Sequence, residues 1–490
     1  MHPIVTPLAD RIAEARRLLH GHYGFADFRP VQRRVVQSVL AGRDALAVLP
    51  TGGGKSICFQ VPALVLGGLT VVVSPLLALM QDQVGALRHR GIAAGTLNSS
   101  LTPEEQAGVM AQVLDGSLRL LYISPERAPR LAEALAGNAI RPRLLAVDEA
   151  HCISEWGHDF RPSYRELATF RTSCGSPPTI ALTGTATPAV RGDIIASLGL
   201  RKHDLHLASF NRPNLHFDVH WVPRPAERLP ALRALLARKP GLTIVYVQTR
   251  ASADALAQAL WFGGIRSAAY HAGLPREQRT QVLTQFLAED LDVVVATSAF
   301  GMGIDAPRVR LVVHWGMPAT PEAYYQEAGR GGRDGGPARC ILLHHPTDAE
   351  IHRRQIGVTF PPRKTLEELW AHPEYRRRHP AAVAASAERL AAELGLTPNV
   401  AAWQAVERRR RAAEARLLVM ERYAGGKGCR RAVLLEYFGQ QKESCDGCDR
   451  CGSASRVPPA SAGTGEDDSG ASELGRLVRR LARHSASARR

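Results

Sequence analysis

Up to about residue 205 the chain alternates short, nearly unbroken apolar runs with longer stretches of helical spacing. "DALAVLP", "LTVVVSP", "LRLLYISP", "RLLAVDEA" and "PTIALTGTAT" are β-branched or Leu-rich and end in loop-forming residues. Continuous apolar runs mark strands buried on both faces, and amphipathic segments between them mark covering helices, so the pattern predicts a parallel sheet. It restarts after a polar stretch near Arg212 and Pro213. "LTIVYVQT", "IRSAAYH", "DVVVATSA" and "RLVVHWGMP" then predict a second α/β domain up to about residue 345. Past residue 350 the strand pattern stops. "EARLLVMERYA" and "CRRAVLLEYFG" have helical spacing and precede or contain cysteines. "SAERLAAELGLTPNVAAWQAVERRRR" reads as helix, turn at Gly395–Pro398, helix. It is either a helix-turn-helix with phosphate contacts from Arg408 to Arg411, or an ordinary helical hairpin with a solvated face. Residues 452–472 lack large apolar residues beyond one Val and read as a disordered linker. The last residues form either a short basic amphipathic helix or a frayed tail. The expected organisation is a first α/β domain at 1–205, a second at 206–345, a helical and cysteine-bearing segment at 346–452, and a linker with basic tail at 453–490.

A chain of 490 residues suits two to four units. Its longest apolar run, "VPALVLGGLTVVV" at 61–73, is short of the roughly 18 residues that span a membrane. No secretory signal pattern opens the chain, so a cytoplasmic location and no membrane partner are expected. The net charge is +16 and uneven: residues 1–350 hold 36 Lys/Arg against 30 Asp/Glu, and residues 351–490 hold 26 against 16. A basic C-terminal third favours a polyanionic partner, nucleic acid before membrane. Only six of the basic residues are Lys, so an Arg-rich compositional bias also contributes. Cys58, Cys152, Cys174 and Cys340 stand singly in patterned segments, as small buried residues do.

The motifs narrow the chemistry. "LPTGGGKS", residues 49–56, follows an apolar strand and precedes a helical segment, the context of a phosphate-binding loop. Thr51, Gly52, Gly53 and Gly54 would curl backbone N–H groups around phosphates, Lys55 would meet the β- and γ-phosphates, and Ser56 would ligate Mg²⁺. The strict motif has Gly where this chain has Leu49. Asp148, at the end of "LLAVDEA", is placed to hold Mg²⁺, and Glu149 to orient or deprotonate the attacking water. Phosphoryl transfer also needs cations, and "YYQEAGRGGRDG" offers Arg330 and Arg333, three apart and so expected on one helical face. If both α/β domains hold one ATP, hydrolysis drives their relative movement.

These motifs resemble those of RecQ-type DNA helicases of superfamily 2, almost continuously from about residue 18 to 350 and again from about 410 to 452. "PTGGGKSICFQVPAL", "SPLLALMQDQV", "SPER", "DEAHCISEWGHDFRPSY", "TGTAT", "YHAGL", "ATSAFGMGID" and "YYQEAGRGGRDG" match in order and spacing. The resemblance implies two RecA-like domains, a helical zinc-binding subdomain and a disordered basic tail. "FADFRPVQ" resembles the family's adenine-reading segment, which gives Phe25 a stacking role, Gln32 an edge-reading role and Arg29 a supporting one. Val31 stands where the family usually has Gly, and Gly184 where it has Ala. The segment after DEAH resembles an aromatic-rich loop that senses single-stranded DNA. Trp156, His158, Phe160 and Arg161 would then contact DNA beside the catalytic acids. Gly157, His158, Asp159 and Arg161 interrupt helical and strand periodicity, which argues against a core role for the aromatics. Ser74, Ser124 and Thr297 either line the nucleic-acid path or cap strand ends. Asp305 and Gln326 either couple the domains to ATP or are likewise local caps.

Cys429, Cys445, Cys448 and Cys451 follow C-x15-C-x2-C-x2-C, which suits tetrahedral Zn²⁺; an iron–sulfur cluster is the rival. The flanking "RRAVLLEYFG" resembles the RecQ zinc subdomain and favours zinc. Many relatives continue past the zinc with a winged helix and a helical nucleic-acid-binding domain, whereas 39 residues follow Cys451 here. The resemblance therefore implies an ATP-dependent 3′-to-5′ DNA helicase of repair and recombination, monomeric and nucleoid-associated, on single-stranded and tailed duplex DNA. A protein partner on the basic tail is a further expectation. The alternative is a DNA-binding ATPase, translocase or strand-annealing scaffold without autonomous unwinding.

Overall fold

The computed structural model describes residues 7–452 apart from 51, 99, 158, 302–305, 395–399, 442, 443 and 446. The chain forms two units, Met1–Phe210 and Asn211–Arg490. The expected linker and tail at 453–490, and the turn at Gly395–Pro398, lie outside the described residues.

The first unit is a sheet of seven parallel strands: β1 (Ala45–Val48), β2 (Thr70–Val73), β3 (Ala94–Leu97), β4 (Leu120–Ile123), β5 (Leu144–Val147), β6 (Thr179–Thr183) and β7 (Asp204–Leu207). Their order is β3-β4-β2-β5-β6-β1-β7. The five apolar runs are the five interior strands. The two edge strands, "AGTL" and "DLHL", escaped the pattern because an edge has a neighbour on one side only and tolerates small or polar residues. Asp44 pins one end of this sheet. Its carboxylate accepts from Arg171 Nη2 at 2.7 and 2.9 Å, from Thr179 N at 2.9 Å and from Arg201 N at 2.8 Å. Four hydrogen bonds from three donors satisfy this buried charge, and removing Arg171 alone would cost about 3–5 kcal/mol.

The second unit has β8 (Leu215–Trp221), β9 (Thr243–Tyr246), β10 (Ser267–Tyr270), β11 (Val293–Ala296), β12 (Leu311–His314) and β13 (Ala338–His344), all parallel, in the order β10-β11-β9-β12-β13-β8. β8 reads "LHFDVHW", half-polar because it lies at the sheet edge. Packed side chains of β9, β11, β12 and β13 form the core with helix Arg250–Phe262. Beyond β13 the chain is helical, as the pattern predicts. Helices Arg363–Ala371, Ala381–Leu394 and the long Val400–Gly425 share a small core of Leu366, Leu369, Ala387, Leu390 and Val406. The cysteine loop then returns to the sheet: Phe217 N donates to Gly447 O at 3.0 Å, and Asp449 N donates to Phe217 O at 3.1 Å. The loop thereby covers the exposed edge of β8. Cys58, Cys152, Cys174 and Cys340 are buried, as their isolation suggested.

In a parallel sheet every strand's C-terminal end lies on one edge, where loops are free to carry chemistry. The segments 49–56, 74–75, 124–125 and 148–149 of the first unit all leave from that edge.

Candidate functional site

The loop after β1 has little freedom. Leu49 N donates to Thr183 O at 2.9 Å, and Gly52 and Gly54 follow with φ of 81° and 71°, a left-handed backbone that glycine adopts without strain. A Cβ on Gly54 would also run into the Gln32 amide. The loop ends at Ser56, which begins helix Ile57–Leu66. Gln32 Nε2 donates to Gly53 O at 2.9 Å and Gly54 O at 3.2 Å, while Arg29 Nη1 donates to Gly52 O at 2.7 Å. Gln32 Oε1 accepts from Arg29 N at 2.9 Å, which closes the start of helix Pro30–Leu40. The segment expected to read a base is thus tied to the phosphate loop. Phe25, half exposed at 52%, leaves its ring available for stacking. Thr51 lies outside the described residues.

Lys55 Nζ donates to Glu149 Oε1 at 2.9 Å, so the loop lysine and the acidic pair share one place. Asp148 and Glu149 are both buried. Burial acts to raise the Glu149 carboxyl, but Lys55 and His151 override it and hold Glu149 well below the usual carboxylate range. Burial and the Glu149 charge instead push Asp148 up to about 6, with Lys55 only partly opposing them. A buried carboxylate short of positive charge is chemically suited to a divalent cation. His151, which sequence reasoning left without a role, lies between two motifs. Its Nδ1 is 2.9 Å from Thr183 Oγ1 and 3.3 Å from Glu149 Oε2. Thr183 Oγ1 in turn donates to Thr185 O at 3.0 Å, so "DEAH" and "TGTAT" form one network.

The aromatic segment folds back on these acids. Glu149 itself has φ 46° and ψ 46°, left-handed backbone that costs a non-glycine residue about 1–3 kcal/mol. That bend starts the 3₁₀ turn Ala150–Ile153. Arg161 N donates to Cys152 O at 2.8 Å, and Arg161 Nη1 reaches Pro75 O at 3.0 Å, beyond β2. Tyr164 is fully buried and its hydroxyl donates to Asp148 O at 3.0 Å. Both ends of the loop therefore meet at the acidic pair, and Tyr164 is a residue the sequence reading missed. Gly157 has no room for a side chain: a Cβ would lie 2.6 Å from His151 O. Trp156 is 45% exposed, whereas Phe160 is half-buried beneath Arg165, 5.1 Å from its ring centre. Arg161 is held by its own loop and by Pro75 rather than projecting from them. Ser74 is buried at the end of β2, and Ser124 is half-buried at the end of β4. His158 lies outside the described residues.

In the second unit Thr297 follows β11, and Gln326 sits on helix Pro321–Ala328. The expectation of one helical face for Arg330 and Arg333 is corrected: the helix stops at Ala328, and both arginines stand in the glycine turns that follow. Gly332 has φ 52°, which ends helical geometry. Those turns are held from below. Arg212 donates to Gly329 O at 3.3 Å, Gly331 O at 3.1 Å and Gly332 O at 3.0 Å. Asn214 Nδ2 adds Gly332 O and Gly336 O, both at 2.8 Å. Arg330 and Arg333 lie near enough to Tyr246 to favour its ionised form, against the larger effect of burial, which keeps the phenol raised. Asp305 lies outside the described residues.

The four sulfurs of Cys429, Cys445, Cys448 and Cys451 all lie within 4.8 Å of one another, as ligands of one tetrahedral ion must. Cys429 opens helix Arg430–Tyr437, and its sulfur accepts from Ala432 N at 3.4 Å. Burial raises the Cys448 thiol, but backbone N–H groups of Arg450 and Arg430 outweigh it and bring the thiol to about 7, close to the thiolate a metal needs. The buried Arg431 joins this centre to the arginine turns. It donates to Asn211 Oδ1 at 2.8 Å, Arg212 O at 2.7 Å and Leu215 O at 2.5 Å. Neither Arg212 nor Arg431 was singled out from sequence. The only available signal was an arginine pair directly after the first cysteine. Among the described residues no helix is long and apolar enough to cross a membrane.

Three family models match: DEAD/DEAH box helicase over residues 29–192, helicase conserved C-terminal domain over 227–335, and RecQ zinc-binding over 388–452. The chain is 37% identical over 436 residues to the ATP-dependent DNA helicase RecQ of Pasteurella multocida, covering 89% of this chain and 61% of that protein. It is 41% identical over 356 residues to the probable ATP-dependent DNA helicase RecS of Bacillus subtilis, covering 71% of this chain and 70% of that one. It therefore spans less than two thirds of the Pasteurella relative. Among solved structures, the helicase MrfA bound to DNA superposes with a TM-score of 0.57 at 20% identity, over 72% of this chain and 50% of that one. That likeness concerns the fold.

Proposed function

Because the chain belongs to the RecQ helicase family, we propose that it is an ATP-dependent DNA helicase, coupling ATP hydrolysis to 3′-to-5′ movement on single-stranded DNA and to strand separation in repair and recombination, in the cytoplasm at the nucleoid. The observation that carries this reading is the meeting of three motifs in the first unit. Lys55 touches Glu149, and the aromatic loop returns through Tyr164 to the backbone of Asp148. In this reading Gln32, Arg29 and Phe25 hold the base, and Gly52 to Lys55 hold the phosphates. Magnesium held by Ser56 and Asp148 would neutralise charge on the β- and γ-phosphate oxygens. Glu149, kept ionised by Lys55 and His151, accepts a proton from the attacking water. Arg330 and Arg333 supply positive charge for the transferred phosphoryl group. Zn²⁺ on the four cysteines is structural, since four thiolates leave no open coordination position.

Coupling to DNA follows from the loop. Stacking of a base on Trp156 is worth about 1–3 kcal/mol whatever the sequence, comparable to the strain in the Glu149 backbone. A strand on Trp156 therefore has enough energy to move the bend that carries the catalytic acid. The test is ATP turnover with oligo(dT), with oligo(U), and with neither. Oligo(dT) should stimulate turnover strongly and oligo(U) weakly, and Trp156→Ala should lower the stimulated rate roughly tenfold. Equal stimulation by both polymers, or full stimulation in the variant, would contradict the proposed coupling.

A further inference from the structure

Between the second unit's sheet and its cysteine centre, the helical segment carries a cavity that the motor reading does not use. It measures about 580 Å³ and is lined by Pro361, Leu366, Trp403 and Val406, with Arg363, Arg408, Arg410 and Arg411 against one lining carboxylate, Glu407. Trp403 stacks on Trp370 with ring centres 5.0 Å apart and planes 15° from parallel. The Arg363 guanidinium lies 5.2 Å from the Trp403 ring centre. Trp370 is fixed by its own indole N–H, which donates to Ala387 O at 2.8 Å. The result is a stacked aromatic pair faced by a guanidinium, with further arginines lining the cavity.

We propose that this cavity binds single-stranded DNA, with a base against the Trp403–Arg363 surface and the flanking phosphates on Arg408, Arg410 and Arg411. The inference rests on the helicase reading and assigns the same substrate a second place on the chain. Charge complementarity favours a polyanion, and the stacked tryptophans favour one with flat bases over an acidic peptide. Arg410 pairs with Glu414 at 3.1 Å, Arg411 with Glu407 at 2.8 Å, and Arg363 with Glu367 at 2.7 Å. These are solvent-exposed pairs four residues apart, a kind weak enough to be exchanged for phosphate oxygens. The same segment repeats the chemistry in "HPEYRRR", where Tyr375 stacks on His372 at 4.8 Å and Arg378 lies 3.7 Å from the Tyr375 ring centre. Across residues 360–411 there are ten Lys/Arg and six Asp/Glu.

The experiment is binding of a labelled dT20 oligonucleotide to the full chain across a salt series, for wild type, Arg408→Ala/Arg411→Ala and Trp403→Ala. The double variant alters two exposed side chains and keeps the test valid if Trp403→Ala fails to fold. Losing two phosphate contacts should weaken binding roughly tenfold at low salt and reduce the slope of log K against log salt by about 1.4. Wild-type binding with an unchanged slope in the double variant would overturn this site while leaving the helicase reading intact. Displacement of dT20 from wild type by poly-glutamate, but not from the double variant, would overturn it in favour of an acidic peptide site. No dT20 binding by wild type would defeat both readings.

Discussion

Glu149 shows how a single residue carries both geometry and charge. Its left-handed backbone turns the chain away from β5, and its carboxylate meets Lys55 on one side and His151 on the other. Glu149→Gln keeps the shape and removes the proposed proton acceptor, so DNA-stimulated turnover should fall about 10²- to 10⁴-fold while nucleotide still binds. Steady-state hydrolysis beside a fluorescent-nucleotide titration checks both halves. Asp348 does comparable work for stability. It accepts from Arg228 Nη2 at 2.5 Å, Met317 N at 3.1 Å and His345 N at 3.2 Å, tying β12 and β13 to the following helix. Burial works to raise its carboxyl, but His344 and Arg228 prevail and hold it at about 2. That lies below the unfolded value of about 3.9, so its contribution is complete above roughly pH 4 and is lost as pH falls toward 2. Asp348→Asn should cost about 3–5 kcal/mol in urea unfolding at pH 7, and the gap to wild type should narrow only below about pH 4. Residues of this kind were legible in sequence when the motif names an atom's job, as with Lys55 and Asp148. Gln32, His151 and Tyr164 were partly or wholly hidden, because their partners lie 16 to 32 residues away and no spacing announces the pairing.

At the scale of elements, most interior strands were readable because burial on both faces forces continuous apolar runs, and the edge strand β10 was read as well. The edge strands β3, β7 and β8 were not, since one open side relaxes that demand, and the interior strand β13, "ARCILLH", also escaped because Arg339 interrupts its apolar run. The glycine turns after helix Pro321–Ala328 were misread as helix because three-residue spacing alone does not reveal where a helix ends. Their support, Arg212, ties Gly329, Gly331 and Gly332 together, and its own carbonyl is held by Arg431 beside the cysteine centre. Lysine keeps the charge but not the planar fork that bridges three carbonyls. Arg212→Lys should lower kcat for ATP by roughly tenfold or more, with the KM for ATP and one zinc per chain both retained. An unchanged kcat would mean that the turns hold their arginines without this support.

At the scale of the molecule, the first unit is a parallel sheet that presents its motifs on the C-terminal edge, the second holds its arginine turns just before β13, and the helical segment adds a cysteine centre that seals the edge of β8. Net charge pointed toward nucleic acid, yet it could not say where the strand runs, since charge is a property of surfaces and not of spacing. Together these parts are proposed to make a motor that separates strands. Its most direct measurement is unwinding of duplexes with a 3′ or a 5′ single-stranded tail by the full chain with ATP and Mg²⁺, with Lys55→Ala as control. Separation of the 3′-tailed duplex only, abolished by Lys55→Ala, is the expected result. Vigorous ATP hydrolysis without strand separation on either substrate would contradict it and leave a DNA-stimulated translocase.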